Sequence, residues 1–246
     1  MSLPHLSDAS ACAFFFDFDG TLAHIAATPG EVTVDAITLA SLSKLAHAAD
    51  GAIAVVSGRE IASLDGFLAP TRFPAAGVHG LERRAFNGGV FAEHIDQQAL
   101  AAFDEALTPW AAAYPGLLLE RKLGAVALHY RARPELQDNC FRAMGNAAAG
   151  WPRVVLTRGK MVIEARFHAA TKGTAITAFM TEAPFAGRTP VFAGDDVTDE
   201  DGFEVVNAMG GITIKVGPGE TAADSRADSV GEFLTWLSMI SDVGAA

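Results

Sequence analysis

A chain of 246 residues, half of them apolar, with 24 glycines and a net charge of −11, can bury a large α/β core or a core with a smaller partner, and is too apolar to be disordered. The acidic balance argues against a general affinity for nucleic acid or anionic membrane, while an anionic substrate stays possible where a divalent cation and a few basic side chains reverse the sign locally. Two widely separated cysteines, Cys12 and Cys140, no basic leader and no run of about 18 apolar residues lead to the expectation of a cytoplasmic monomer without disulfides, signal peptide or membrane span.

The first element is the apolar run Phe14-Phe15-Phe16, which ends abruptly in Asp17-Phe18-Asp19-Gly20-Thr21. A short, continuously apolar run reads as a strand buried on both faces, as in a parallel sheet. Its two carboxylates then sit at the carboxyl end of the strand, where ligands bind in open α/β sheets. Spaced i, i+2 on extended backbone they point to one side, and such a pair needs a cation or a proton held on one member. Helical spacing follows over residues 34–49, stopped by Asp50-Gly51. Residues 52–56 form a second buried-type strand ending in Ser57-Gly58-Arg59, and residues 60–68 the next helix. This order implies right-handed parallel crossovers.

From Phe73 the texture changes. Residues 76–84, with His79 and Glu82, lead into a hairpin-like turn at Asn87-Gly88-Gly89. A helix is predicted over 97–113, two strands over 117–122 and 126–131 around Gly124, a helix over 134–149, and a second hairpin from 154–157 and 161–166. Hairpin, helix, hairpin is a layered α+β module. The α/β pattern resumes with a helix over 172–183, a strand over 189–193 ending in Gly194-Asp195-Asp196, a helix capped by Thr198, a strand over 212–216, and a last helix capped by Ser229 and Glu232. The economical division is a core domain of residues 1–106 and 169–246 with an inserted α+β cap of residues 107–168. Trp110, Trp151 and Trp236, scattered over a helix, a turn and the last helix, read as packing residues rather than stacking platforms for a ligand.

Four polar sets lie at strand ends or a helix start: Asp17 with Asp19, Ser57, Lys172, and Asp195 with Asp196 and Asp199. Each alone has a plain explanation: Ser57 as a helix N-cap, Lys172 as a solvated helix residue, residues 195–201 as an acidic helix N-terminus favoured by the dipole. Parallel strands would bring the strand-end sets to one sheet edge. Carboxylates converging with one ammonium and one hydroxyl are the inventory of a magnesium-dependent phosphoryl-transfer site.

In this order the four sets resemble the motifs of the haloacid dehalogenase superfamily of phosphatases: Asp17-Phe18-Asp19-Gly20-Thr21 the first, Ser57 the second, Lys172 the third, residues 194–199 the fourth. Residues 76–82, Glu120-Arg121-Lys122 with His129-Tyr130-Arg131, Gly159-Lys160 with Glu164, and Thr171-Lys172-Gly173 resemble the trehalose-6-phosphate phosphatases within it, from residue 12 to residue 240. The resemblance implies a Rossmann-like core with a parallel sheet and an inserted α+β cap. It implies Mg²⁺-dependent hydrolysis of trehalose 6-phosphate through an aspartyl-phosphate, with Asp17 as nucleophile, Asp19 as acid and then base, and Ser57 and Lys172 on the phosphate. The Mg²⁺ ligands would be Asp17, Asp195 and the backbone carbonyl of Asp19, with Asp199 either a further ligand or just behind them.

Substrate contacts are implied for Gly20, Thr21, Gly58, Arg59, His79 and Glu82 in the core, and for Arg121, Lys122, His129, Lys160 and Glu164 in the cap, where carboxylates and ammonium groups suit sugar hydroxyls. Arg166-Phe167-His168 departs from the family's basic-Pro-Arg sequence at the second cap hinge. Two other readings use the same residues. One keeps the core and changes the sugar, to sucrose phosphate or mannosyl-glycerate phosphate. The other is a phosphoryl-accepting signalling domain, against which Asp19 argues, because only an ester's leaving oxygen needs a proton. The implied partner is a small sugar phosphate, not nucleic acid or membrane.

Overall fold

The computed structural model describes residues 3–26, 28–159 and 161–242. Strand β1 (Cys12–Phe16) is buried at every position, and its aromatics show why the run is continuous rather than alternating. Phe15 lies 5.9 Å from Phe179 and 5.5 Å from Phe185, whereas Phe16 packs edge-on against Phe233 at 5.7 Å. Successive side chains point to opposite sheet faces, and here both faces are covered by helices: α5 (Lys172–Met180) carries Phe179 and α7 (Val230–Asp242) carries Phe233.

Among the described residues eight strands form one sheet. Beside β1 lie β2 (Ile53–Val56) and β10 (Thr189–Gly194), both parallel to it. The sheet continues through β3 (Ala75–Gly77) on one side and through β11 (Ile212–Val216) and β12 (Ser225–Ala227) on the other, all parallel. The hairpin of β4 (Glu82–Arg84) and β5 (Val90–Ala92) extends it antiparallel, giving the order β12-β11-β10-β1-β2-β3-β4-β5. Helices α1 (Ala36–Ala48), capped by Asp35 on the N–H of Thr38 at 2.7 Å, and α2 (Ile61–Phe67) lie between the first strands, and α6 (Glu200–Ala208) lies between β10 and β11. The cap of α6 differs from the predicted one: Asp196 and Asp199, not Thr198, close a short 3₁₀ turn over Val197–Asp199 ahead of it.

The chain divides into two compact units, Met1–Ala92 with Ala170–Ala246, and Glu93–Ala169. The second holds a four-stranded antiparallel sheet, in the order β6 (Leu118–Lys122), β7 (Ala125–His129), β9 (Val162–Arg166), β8 (Val155–Gly159). Helices α3 (Gln97–Ala112) and α4 (Gln137–Ala148) pack on one face of it. This unit begins earlier than the predicted residue 107. Phe103 and Leu107 of α3 are buried in its core, Phe103 edge-on to Phe167 at 5.0 Å, so the helix belongs to this sheet. Trp110 and Trp151 are partly buried against the same core, and the indole N–H of Trp236 donates to the carbonyl of Pro4 at 2.8 Å, so all three serve packing. Cys12 and Cys140 are buried free thiols in different units. No helix among the described residues is long and apolar enough to cross a membrane.

Candidate active site

Three parallel strands end side by side, and the polar residues after them converge. The N–H of Asp17, one residue past β1, donates to Ala193 of β10 at 2.9 Å, and that of Ser57, one residue past β2, to Ala76 of β3 at 2.8 Å. The pairing therefore carries the strand register into the first residue of each loop. After Asp17 the chain turns tightly: Leu22 and Ala23 donate to the carbonyl of Phe18, both at 3.0 Å, and Gly20 takes a φ of +79°. A Cβ at Gly20 would run into the carboxylate of Asp195, so glycine is required there twice over. Lys172 enters from the first turn of α5, which Thr171 and Thr174 close with reciprocal side-chain bonds.

The Lys172 ammonium is buried between two carboxylates, 2.7 Å from Oδ1 of Asp17 and 2.6 Å from Oδ1 of Asp199. Asp199 uses its second oxygen on the N–H groups of Asp195 and Asp196, at 3.1 and 3.0 Å. Asp17, Asp195 and Asp199 each place an oxygen within 4.8 Å of the others. Three hard anionic donors at that spacing fit a divalent cation such as Mg²⁺. Asp199, already engaged at both oxygens, suits a place behind Asp17 and Asp195 better than a place on the ion.

Electrostatics point the same way. Burial pushes the Asp17 carboxyl up to about 6 against the pull of Lys172. Burial and the charge of Asp199 take Asp195 to about 6, and burial with the charge of Asp17 takes Asp199 to about 7. Burial alone would lower Lys172, and the two carboxylates hold it above its ordinary value instead. In the unfolded chain these carboxyls titrate near 3.9. The stability they contribute is therefore complete below that pH and is lost as pH rises through 6 to 7. The metal-free protein should accordingly lose melting temperature between about pH 5 and pH 8, and Mg²⁺ should restore more at the upper end, where protons no longer compete for the oxygens. Melting curves with chelator and with Mg²⁺ check this; equal Mg²⁺ responses at both pH values would contradict it.

Asp19 lies beside this cluster and outside it. Both its oxygens face Arg59, at 2.6 Å from Nε and 2.7 Å from a terminal nitrogen, and the guanidinium rests 5.4 and 4.8 Å from the rings of Phe18 and Phe67. The Ser57 hydroxyl oxygen accepts from the N–H of Arg59 at 3.2 Å. Val78 and His79 both take left-handed backbone, at φ of 48° and 56°. For the β-branched Val78 this is strained, as backbone around functional sites often is. Asp17, Asp19, Ser57, Gly58, Arg59, His79, Lys172, Asp195, Asp196 and Thr198 line a cleft of 680 Å³, with Ile25, Ala26 and Val32 as its apolar part. Three of the contacts predicted in the core lie outside that lining, and the first, Gly20, sits behind the Asp195 carboxylate. The Glu82 carboxylate accepts from the N–H of Ile61 at 2.5 Å and so serves the start of α2, and Thr21 is fully buried with no hydrogen-bond partner for its hydroxyl among the described residues.

A model of the Trehalose-phosphatase family matches residues 15–230. The chain belongs to the trehalose-phosphatase family. It is 46% identical over 228 residues to the trehalose-6-phosphate phosphatase of Escherichia coli K12, covering 93% of this chain and 86% of that one. The crystal structure of a trehalose-6-phosphate phosphatase related protein superposes with a TM-score of 0.71 at 32% identity, over 94% of this chain and 98% of the other. A haloacid dehalogenase-like hydrolase of Bacillus subtilis, at 13% identity, shares the fold with a TM-score of 0.67 over 94% and 99% of the two chains. The core with its parallel sheet and the α+β unit inserted in it are thus a fold that this chain shares with that hydrolase.

The second unit of this trehalose-phosphatase family member sorts the remaining predicted residues by strand alternation. Val126, Leu128, Ile163 and Ala165 point into the helix-covered core. On the opposite face Glu120 and Glu164 align across Ala127. There the Lys122 ammonium meets Glu164 at 2.7 Å, and a ring nitrogen of His129 lies 2.8 Å from Glu120. Arg121 takes the helix side, its guanidinium forked on Asp104 of α3 at 2.6 and 3.0 Å, so it does not join the Lys122 group. Lys160 lies outside the described residues. Glu120, rather than Arg121, shares the face of Lys122 and Glu164. Period-2 counting from Lys122 and Glu164 would have found it. Lys215 is a second residue the motif reading passed over: it is buried and donates to the backbone carbonyl of Asp195.

Proposed function

We propose that this chain hydrolyses trehalose 6-phosphate to trehalose and phosphate through an aspartyl-phosphate on Asp17. The observation that carries the chemistry is the buried contact of Asp17 with Lys172 beside Asp195, at a strand tip that also bears Asp19. The family and its 46% identical relative carry the sugar.

A carboxylate oxygen of Asp17 attacks phosphorus while the bond from phosphorus to the sugar oxygen breaks, and a proton from Asp19 goes to that departing oxygen. Water then attacks the acyl phosphate. That water gives a proton to Asp19 as its oxygen bonds phosphorus and the bond from phosphorus to the Asp17 oxygen breaks, so inorganic phosphate leaves and both carboxyl groups are restored. Lys172 and Ser57 hold phosphate oxygens throughout. Mg²⁺, bound by Asp17 and Asp195 with Asp199 adjoining, would neutralise the negative charge gathered around phosphorus. Before any of this Arg59 must release Asp19, since a carboxylate forked on a guanidinium offers no oxygen to the leaving group. Lys122, Glu120, Glu164 and His129 would recognise the sugar hydroxyls.

Phosphate release from trehalose 6-phosphate, measured beside sucrose phosphate and simple hexose phosphates with Mg²⁺, tests the assignment. Comparable kcat/KM across the panel would remove trehalose from it. Asp19→Asn should lower turnover by roughly 10²- to 10⁴-fold with the fold intact; full activity of that variant would refute the acid/base role.

A further inference from the structure

Lys215 is the fourth residue of β11, a strand otherwise made of Ile, Thr and Val, and its side chain is 5% exposed. An ammonium is costly to bury unless it is compensated, so packing alone does not explain a lysine there. Its Nζ donates to the backbone carbonyl of Asp195 and stands 3.9 Å from Oε1 of Glu200, the first residue of α6. The other Glu200 oxygen accepts from the N–H of Ala222 at 2.7 Å and from the Thr221 hydroxyl at 3.2 Å. The peptide between Asp195 and Asp196 is therefore gripped at both ends. Lys215 takes its carbonyl, and Asp199 takes its N–H at 3.0 Å.

That peptide plane sets the direction in which the Asp195 side chain leaves the backbone. Gly20, with no Cβ, leaves the space the Asp195 carboxylate fills. We propose that Lys215, steadied by Glu200, is a positioning residue for the divalent cation: it locks the 195–196 peptide so that Asp195 presents its oxygen toward Asp17. The inference rests on the phosphatase reading, in which Asp195 is a metal ligand. It separates Lys215 from Lys172, which touches Asp17 and Asp199 directly.

Removing Lys215 alone would also change the local charge, and the added negative potential would favour a cation. The paired change Glu200→Gln with Lys215→Met leaves net charge unaltered and isolates the positioning. Mn²⁺ serves as the probe, its free ion counted by electron paramagnetic resonance on the whole protein. The double variant should bind Mn²⁺ about tenfold more weakly than wild type, the size usual for lost outer-shell support, with KM for the sugar phosphate unchanged and kcat recovered at saturating metal. Lys215→Arg, which keeps the donor and the charge, should retain wild-type binding. The pair Glu200→Gln with Lys215→Gln, which loses reach at unaltered net charge, should weaken it as well, and carries the test should the methionine variant not give a cooperative melt. Unaltered Mn²⁺ affinity in either weakened variant, melting as a folded protein, overturns the positioning role and leaves the phosphatase reading standing. A wild-type protein that bound no Mn²⁺ would overturn the cation site itself, and the role of Lys215 with it.

Discussion

Asp17→Asn is expected to lower kcat by roughly 10⁴-fold or more and, at neutral pH without metal, to raise the melting temperature. The activity loss follows because an amide cannot attack phosphorus and leave an acyl phosphate. The stability gain follows from burial. A carboxyl held at about 6 is one the folded chain prefers neutral, and asparagine has the shape of that neutral form. Lys172 keeps its second carboxylate, Asp199, at 2.6 Å, so its ammonium is not stranded. Phosphate release and melting curves in chelator check both halves. A variant that melts below wild type would mean that the Asp17–Lys172 attraction outweighs the cost of burying the carboxylate.

Lys172→Met should be equally inactive and should move stability the other way, by about 3–5 kcal/mol, the usual cost of taking one partner from a buried ion pair. It leaves Asp17 and Asp199, 4% and 0% exposed, without the cation between them, and Asp195 adds a third negative charge within 4.8 Å. Protonation can relieve part of that repulsion, so the loss should shrink on acidification, and Mg²⁺ should restore more melting temperature to this variant than to wild type. Denaturant unfolding at two pH values, with and without Mg²⁺, measures these effects. The two inactive variants thus lie at opposite ends of one ion pair and shift stability in opposite directions. A general weakening of the fold would not produce that pattern.

Those signs depend on burial and partner choice, which differ in how far they could be read in advance. That β1 is buried on both faces is visible in Phe14-Phe15-Phe16, because a strand covered by helices on each side has no polar face to alternate. That Asp17, Ser57 and Asp195 share an edge follows from three such strands being parallel. Other points were not legible. Helix α3 is amphipathic, and its pattern does not say which of two sheets it will cover; Phe103 meeting Phe167 decided that. Strand alternation puts Glu120 and Lys122 on one face and Arg121 on the other, but that Asp104 of α3 receives Arg121 there is a tertiary contact. Glu82 looks like a site residue in its motif and is spent on the N–H of Ile61.

Legible along the chain are most of the strands and helices in their order, though not the short β12, with the acidic tips of β1 and β10 and the chemistry those residue types permit, because these depend on periodicity and turn residues within a few positions of one another. Packing across the fold is what puts Lys172 between Asp17 and Asp199, Arg59 on Asp19, and the Lys215 ammonium on the Asp195 carbonyl. Asp17 and Lys172 are 155 positions apart and Asp19 and Arg59 are 40. Such pairs form because packing brings desolvated charges together and leaves each with few groups able to compensate it, and no local pattern in the chain encodes which group that will be.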